Sequence, residues 1–190
     1  MEKVASTRAG PDGFWRATAL LIRDTPARYP ALFVSSTNRR RGTPPVGEKM
    51  KRILVGVDGS TASRDAAKFA AEMAGPLGAQ LVIVSAVWPV VEVEGAPELV
   101  ARASRLAVEE REYAHVMVKE MATSLAAGNT VETLVTDGSP AVALADLAQA
   151  GDVEMVVVGH RGRNAVARAL LGSVADRLVQ ICPKPVLVVR

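Results

Sequence analysis

Short apolar runs rich in Val, Ile and Leu are the feature that most constrains the fold of this chain. They occupy residues 53–57, 81–87, 153–158 and 186–189. Each is too short for a helix and lacks the strict alternation of a half-exposed strand, which is typical of strands buried on both faces. Strands of this kind form parallel sheets that helices cover on both sides, so the runs predict an α/β fold.

Helical patterns separate these runs, and a further strand is predicted at residues 130–136. Ser139-Pro140 is expected to begin the third helix, and Cys182-Pro183 is expected to end the fourth. Strands alternate with helices five times, which predicts a five-stranded parallel sheet with helices on both faces. Gly75-Pro76 and Gly78 are expected to end the first helix. In the long second helix, the residues expected to face inward are Leu99, Ala103, Leu106, Tyr113, Met117 and Met121. Its glutamates Glu109, Glu110 and Glu112 are expected to face solvent.

The stretch after residue 158 combines three glycines with the start of a helix. Gly159 and Gly162 follow a strand directly, and Gly172-Ser173 precede a helical pattern. Glycine lets the backbone approach an anion closely, and a helix start offers unpaired N–H groups at the positive end of its dipole. Ser173 can cap the helix or donate to a phosphate oxygen, and Arg161 adds positive charge. The residues alone leave a second interpretation open, in which the glycines form a turn before an ordinary helix cap.

The spacing Gly-x2-Gly-x9-Gly-Ser, between a buried strand and a helix that ends at Cys182-Pro-Lys-Pro, resembles the motif of the ATP-binding branch of the universal stress protein family. The stretch Lys51-Arg-Ile-Leu-Val-Gly-Val-Asp58 matches a second marker of that family, and the resemblance covers residues 50–190. It implies a Rossmann-like sheet of strand order 3-2-1-4-5, counted from the strand at residues 53–57. It also implies ATP as ligand and a homodimer formed through the last strand.

The resemblance also assigns a site. In such sheets, ligands bind beyond the carboxyl ends of the strands, where the strand order reverses. With the implied order, Asp58 and Gly159 lie at that point. The resemblance gives Asp58 a contact with ribose or adenine, while the residues alone also allow a turn that its side chain stabilises. Ala86 aligns with a position whose backbone recognises adenine. The predicted nucleotide-binding residues are Gly56, Val57, Asp58, Ala86, Gly159, Arg161, Gly162, Gly172, Ser173 and Val174.

Efficient catalysis is not expected from this motif. No lysine lies between Gly159 and Gly172, so the motif differs from the Gly-x4-Gly-Lys phosphate loop. Mg²⁺ would therefore be held mainly by the phosphates and water. His160 replaces a serine that is common in the family, and we expect it to face solvent beside the phosphates without acting as a base. No catalytic or metal-binding residue is predicted.

The function that these expectations favour is a nucleotide-dependent regulatory or interaction module in the stress response. Two alternatives stay open at this point. One is an ATPase, which would be slow because no lysine or well-placed base supports efficient catalysis. The other is a dimeric interaction protein that works without nucleotide. The sequence names neither the stress signal nor the partner.

The charge of the chain is unevenly distributed, although its formal net charge is +3. Residues 1–49 hold nine Lys/Arg against four Asp/Glu, and residues 50–190 hold fourteen against sixteen. The first segment also has five prolines and the run Arg39-Arg40-Arg41, so we expect a basic, mostly disordered extension before a domain at residues 50–190. The acidic balance of that domain argues against a general nucleic-acid surface. A single cysteine and the absence of a long apolar run favour a cytoplasmic protein and no membrane span.

Overall fold

Strands and helices alternate through the described part of the chain, which the computed structural model gives as residues 32–35, 52–89, 97–150, 152–163 and 171–190. The elements are β1 (Leu32–Ser35), β2 (Arg52–Gly56), α1 (Thr61–Leu77), β3 (Gln80–Val87), α2 (Pro97–Leu125), β4 (Val131–Asp137), α3 (Pro140–Ala150), β5 (Val153–Gly159), α4 (Ser173–Ile181) and β6 (Val186–Val189).

The strands form one sheet in the order β1-β6-β5-β2-β3-β4. The five strands from β2 to β6 are parallel, and counted from β2 their order is 3-2-1-4-5, which confirms the predicted topology. Strand β2 lies between β3 and β5. Chain order therefore reverses at the β2–β5 pair, and a crevice opens beyond the carboxyl ends of these two strands.

Both faces of the sheet are covered, because alternate residues of each strand enter different cores. Ile53 and Val55 of β2 pack on the face with α1 and α2, whereas Leu54 packs on the face with α3 and α4. All three are at most 2% exposed. This two-sided burial explains why the strands appear in the sequence as continuous apolar runs.

The ends of α1 follow from local hydrogen bonds. Ser60 caps the start, since its hydroxyl accepts from the Ser63 N–H at 3.2 Å. Gly78 adopts a left-handed conformation with φ of 63° and ends the helix, while Gly75 and Pro76 lie inside its last turns. The helix therefore continues past the Gly-Pro pair that was expected to stop it.

The inward face predicted for α2 is correct near the end of the helix and wrong from its start to Tyr113. Met117 and Met121 are buried, but Leu99, Leu106 and Tyr113 are 65%, 56% and 48% exposed. Length explains the difference. A helix of 29 residues is roughly 43 Å long at about 1.5 Å per residue, whereas the eight residues of β3 span roughly 26 Å at about 3.3 Å per residue. The sheet is too short to cover the whole of α2.

Strand β1 covers the free edge of β6. The two pair antiparallel, with Leu32 opposite Val189 and Ser35 opposite Val186. This differs from an extension that lies wholly outside the fold. An unpaired strand edge leaves backbone N–H and C=O groups without partners, and a short apolar segment can satisfy them. Four residues are too few to show a strand period in the sequence, and the rest of residues 1–49 lies outside the described residues.

Cys182 is fully buried at the end of α4, where its backbone N–H bonds to the Leu178 carbonyl at 2.9 Å. Burial raises the pKa of its thiol. We therefore expect the thiol of the native protein not to react with 5,5′-dithiobis(2-nitrobenzoic acid) at pH 8. In about 6 M guanidinium chloride, which unfolds the chain, one thiol per chain should react within minutes. Fast reaction of the folded protein would contradict this burial.

Candidate functional site

A cleft of about 730 Å³ lies at the carboxyl ends of β2, β3 and β5, where the strand order reverses. It is lined by every residue of the predicted site: Gly56, Val57, Asp58, Ala86, Gly159, Arg161, Gly162, Gly172, Ser173 and Val174. The sequence therefore located the cleft. The structure adds how these residues hold one another, and which further residues share the cleft with them.

The Asp58 carboxylate ties the loop after β2 to the loop after β5. Its Oδ1 accepts from the Ser60 N–H at 3.0 Å, and its Oδ2 accepts from the Arg163 N–H at 2.9 Å. The first bond stabilises the turn after β2, which is the alternative role that the sequence allowed for Asp58. The second bond joins residues that are far apart in the chain. The carboxylate also lines the cleft, where it can accept from a ligand hydroxyl.

These bonds shape the acidity of Asp58. Burial raises the pKa of its carboxyl, but hydrogen bonds from Ser60, from the Arg163 backbone and from Ser63 outweigh that effect. The net pKa lies below the ordinary value of an aspartate, so Asp58 is ionised at neutral pH. A carboxylate in this state is a good acceptor and a weak base.

Each motif glycine is required by a close contact inside the protein. A Cβ on Gly159 would lie 2.7 Å from the backbone oxygen of Ala62 at the start of α1, and one on Gly162 would lie 2.7 Å from Oδ2 of Asp58. A Cβ on Gly172 would lie 3.2 Å from the His160 oxygen, the same oxygen that accepts the Gly172 N–H at 2.7 Å. The spacing of the motif therefore fixes the geometry of the loop before any ligand binds.

The start of α4 differs from the predicted cap. Gly172 is the N-cap and makes no side-chain bond, while Ser173 is the first helical residue. Ser173 was predicted as a possible cap, and that role is wrong because its side chain follows the cap position. Its exposed side chain lines the cleft instead. The first N–H groups of α4 have no partners within the helix, and they carry the positive end of its dipole.

Charged side chains surround this helix start. Arg161, Arg163 and Arg177 line the cleft. The Arg163 guanidinium lies 3.2 Å from the Glu110 carboxylate of α2 and 5.9 Å from the centre of the Tyr113 ring. Glu110 was expected on a solvated face, and Arg177 was not among the predicted residues. The signal for Arg177 was its position four residues after Ser173, on the same face of α4.

Apolar side chains of β3 and α3 also line the cleft. They are Val84, Pro140, Ala141 and Leu144, together with Trp88 directly after β3. None of these residues was predicted, because a strand end and a helix start carry no motif that marks a ligand wall.

Backbone groups at the end of β3 also face the cleft region. The Val57 N–H donates to the Val84 carbonyl at 2.8 Å, so the backbone of Val84 points toward β2. Backbone direction alternates along a parallel strand, so Ala86 points to the same side. Strand β2 ends at Gly56, opposite Val84. The N–H and C=O of Ala86 therefore face the space that β2 leaves.

His160 does not take the predicted place. It is half-buried, its Nδ1 is buried without a hydrogen-bond partner among the described residues, and it does not line the cleft. Burial lowers its pKa, and the charges of Arg161 and Arg190 lower it further. The imidazole is therefore neutral at pH 7 and brings no charge to the site. The prediction of a solvent-facing neighbour of the phosphates is wrong, since the backbone N–H of His160 pairs with Val189 and holds the residue against β6.

Comparison with known proteins decides the family. Residues 49–190 match the sequence profile of the universal stress protein family. This chain belongs to the universal stress protein family. A universal stress protein of Methanocaldococcus jannaschii is 36% identical over 149 residues, which cover 76% of this chain and 85% of that protein.

Solved structures of universal stress proteins share the fold. The protein UspA from Lactobacillus plantarum is 25% identical with a TM-score of 0.68, over 75% of this chain and 99% of that one. A universal stress protein solved in complex with cAMP is 26% identical with a TM-score of 0.52, over 75% of this chain and 98% of that one. Binding of a nucleotide is thus known for one structural neighbour.

The described part of this universal stress protein has neither a membrane-spanning helix nor a cluster of metal ligands. No helix there has the length and apolarity to cross a membrane. No group of three or more His, Cys, Asp and Glu side chains there is arranged to hold a metal ion.

The hydrogen bonds by which Asp58 joins the two loops can be tested by Asp58→Asn. The amide Nδ2 would meet the Arg163 N–H as a second donor, so we expect a loss of about 1–3 kcal/mol in the free energy of unfolding at pH 7. Because the folded pKa of Asp58 is lowered, its stabilisation is complete above about pH 5 and disappears as pH falls through the folded pKa, below about 4. Urea unfolding at pH 7 and in acid measures both effects.

The control is Asp65→Asn, which removes a carboxylate from the neighbouring helix α1. Asp65 has an ion pair of 4.0 Å with Lys68 on the surface. Its loss should change stability by less than about 0.5 kcal/mol. If the two variants are equally stable, Asp58 does not hold the loops together.

Proposed function

We propose that this universal stress protein binds ATP in the cleft and acts in the stress response as a nucleotide-dependent regulatory or interaction module of the cytoplasm. One observation carries the proposal: a single cleft is lined both by basic groups and by apolar side chains. The glycine loop, the start of α4 and three arginines supply the basic groups, and β3 and α3 supply apolar side chains. A nucleotide likewise combines charged phosphates with an aromatic base.

The basic groups suit the phosphates. The free N–H groups at the start of α4 and the positive end of its dipole favour an anion, and the exposed Ser173 hydroxyl can donate to a phosphate oxygen. Arg161 and Arg177 line the same region and add charge. Arg163 is partly neutralised by Glu110.

Other groups of the cleft suit the nucleoside. Asp58 lines the cleft, and its ionised carboxylate is an acceptor that suits a ribose hydroxyl. The backbone N–H and C=O of Ala86 face the space beyond β2, and such a donor–acceptor pair can read the edge of adenine. Gly56 and Val57 border this space through their position at the end of β2.

Turnover of the bound nucleotide is expected to be slow. The carboxylates that line the cleft are Asp58 and Glu110. The lowered pKa of Asp58 makes it a weak base, and Glu110 is paired with Arg163. Neither group is placed to hold Mg²⁺ alone, so the ion would be bound by the phosphates and water. A slow ATPase is the second candidate function, with turnover well below the roughly 10 s⁻¹ that is typical of enzymes.

We further propose that the functional domain is residues 50–190 and that it forms a homodimer through β6. Alternation along β6 places the backbone of Val189 toward β5, where its carbonyl accepts from the His160 N–H at 2.7 Å. The backbone of Val188 therefore points to the outer edge, where β1 pairs. A second copy needs the same edge, so dimer formation through β6 requires that β1 leave it.

Nucleotide binding can be tested by Ser173→Glu. The new carboxylate would lie at the positive end of the α4 dipole, which favours it, and in the proposed path of the phosphates, which it repels. We expect the melting temperature to be kept and the ATP affinity, measured by isothermal titration calorimetry with Mg²⁺, to fall at least tenfold, about 1.4 kcal/mol.

Gln180→Glu is the matched control for that experiment. It adds the same charge to the exposed surface of the same helix, seven positions away, which is roughly 10 Å and about one Debye length at 0.1 M salt. Its ATP affinity should equal that of the wild type. Equal affinity in all three proteins would refute the phosphate position, and phosphate release measured in parallel decides between ligand and slow substrate.

The dimer can be tested by the mass of a chain that begins at Met50. Without β1 the edge of β6 is free, so light scattering at micromolar concentration should give a dimer, with a smaller dimer fraction for the full chain. Val188→Pro removes an N–H from the outer edge and not from the β5 side, so it should return the shortened chain to a monomer. A shortened chain that is monomeric without this substitution contradicts the assembly.

A further inference from the structure

We propose that Trp88 stacks on the base of the bound nucleotide and makes this site selective for ligands with an aromatic base. The inference rests on the proposed nucleotide site and assigns the base to one wall of the cleft. It starts from an unusual exposure. Trp88 is 61% exposed and lines the cleft, although the burial of a large aromatic ring is strongly favourable.

The position of Trp88 in the chain sets where its ring can act. It directly follows Val87, which ends β3 and is 2% exposed, so the backbone on its N-terminal side is anchored in the sheet. Ala86 lies two residues earlier, with its N–H and C=O toward the space beyond β2. A base that bonds to Ala86 through its edge would therefore have Trp88 two residues away, about 7 Å along an extended chain.

Helix α3 supplies an apolar surface to the same cleft. Pro140, Ala141 and Leu144 line it together with Trp88. A flat ring between an indole and aliphatic side chains loses contact with water on both faces. Inorganic phosphates have no flat apolar face, so this end of the cleft favours a ligand with a purine or pyrimidine over them.

The position of the phosphates in the cleft restricts where the base can lie. Ser173, Arg161 and Arg177 attract the phosphates, and Glu110 lies beside Arg163. With the phosphates at the start of α4, the base extends toward the carboxyl end of β3 and the start of α3. Trp88 is the aromatic residue among those that line the cleft there.

The test compares Trp88→Ala with Trp88→Phe, which keeps an aromatic face. We expect Trp88→Ala to bind ATP about tenfold more weakly than the wild type, and Trp88→Phe to bind within about threefold of it, because one stacked base contributes at this scale. Inorganic tripolyphosphate has the phosphates without the base, so its affinity should be equal in all three proteins. Exposed Leu99 serves as the control, since Leu99→Ala should leave both affinities unchanged.

Tryptophan fluorescence gives an independent readout. ATP should quench the emission of the wild type and tripolyphosphate should not. The chain has two tryptophans, so the quenching must disappear in Trp88→Phe, which retains the other one. Equal ATP affinity of Trp88→Ala and wild type would overturn the stacking alone. Failure of the wild type to bind ATP would overturn the nucleotide site and the stacking with it.

Discussion

The carboxylate of Asp58 is the interaction on which the rest of the site depends. It accepts one N–H from its own loop and one from the loop after β5, and so joins the two strand ends between which the cleft opens. Gly162 must lack a side chain for this bond to form, and Gly159 must lack one for β5 to reach the start of α1. Folding and ligand geometry therefore share the same contacts. A substitution that damages binding here will also lower stability, and the two effects need separate measurement.

Much of the fold could be predicted because its signals are local and physical. Two-sided burial leaves continuous apolar runs, and each is a strand. Ser60 caps α1 because a hydroxyl at that position can bond the N–H groups that the first turn leaves free. The strand order came from family resemblance, since burial alone does not distinguish one parallel order from another. With that order, the ten predicted residues had to meet at one edge of the sheet.

What the sequence did not predict depends on distances between segments. Leu106 has the right helical spacing for burial, but only the structure shows that α2 is longer than the sheet it packs on. Nothing local places Glu110 beside Arg163 or turns Trp88 toward the cleft, because the partners lie on other elements. His160 was misplaced for the same reason, since its position depends on a bond to β6. Side-chain surroundings of this kind arise only from the packed fold.

The pairing of β1 with β6 has a consequence for the synthesis of the protein. Leu32 and Val189 lie near opposite ends of the described chain, yet they face each other across two strands. A ribosome adds about 5–20 residues per second, so on the order of ten seconds separate the appearance of the two segments. During that time the strands from β2 to β5 are synthesised, and β2 already has a partner in β3. Strand β1 is therefore made first among the described strands and is the last to gain its partner.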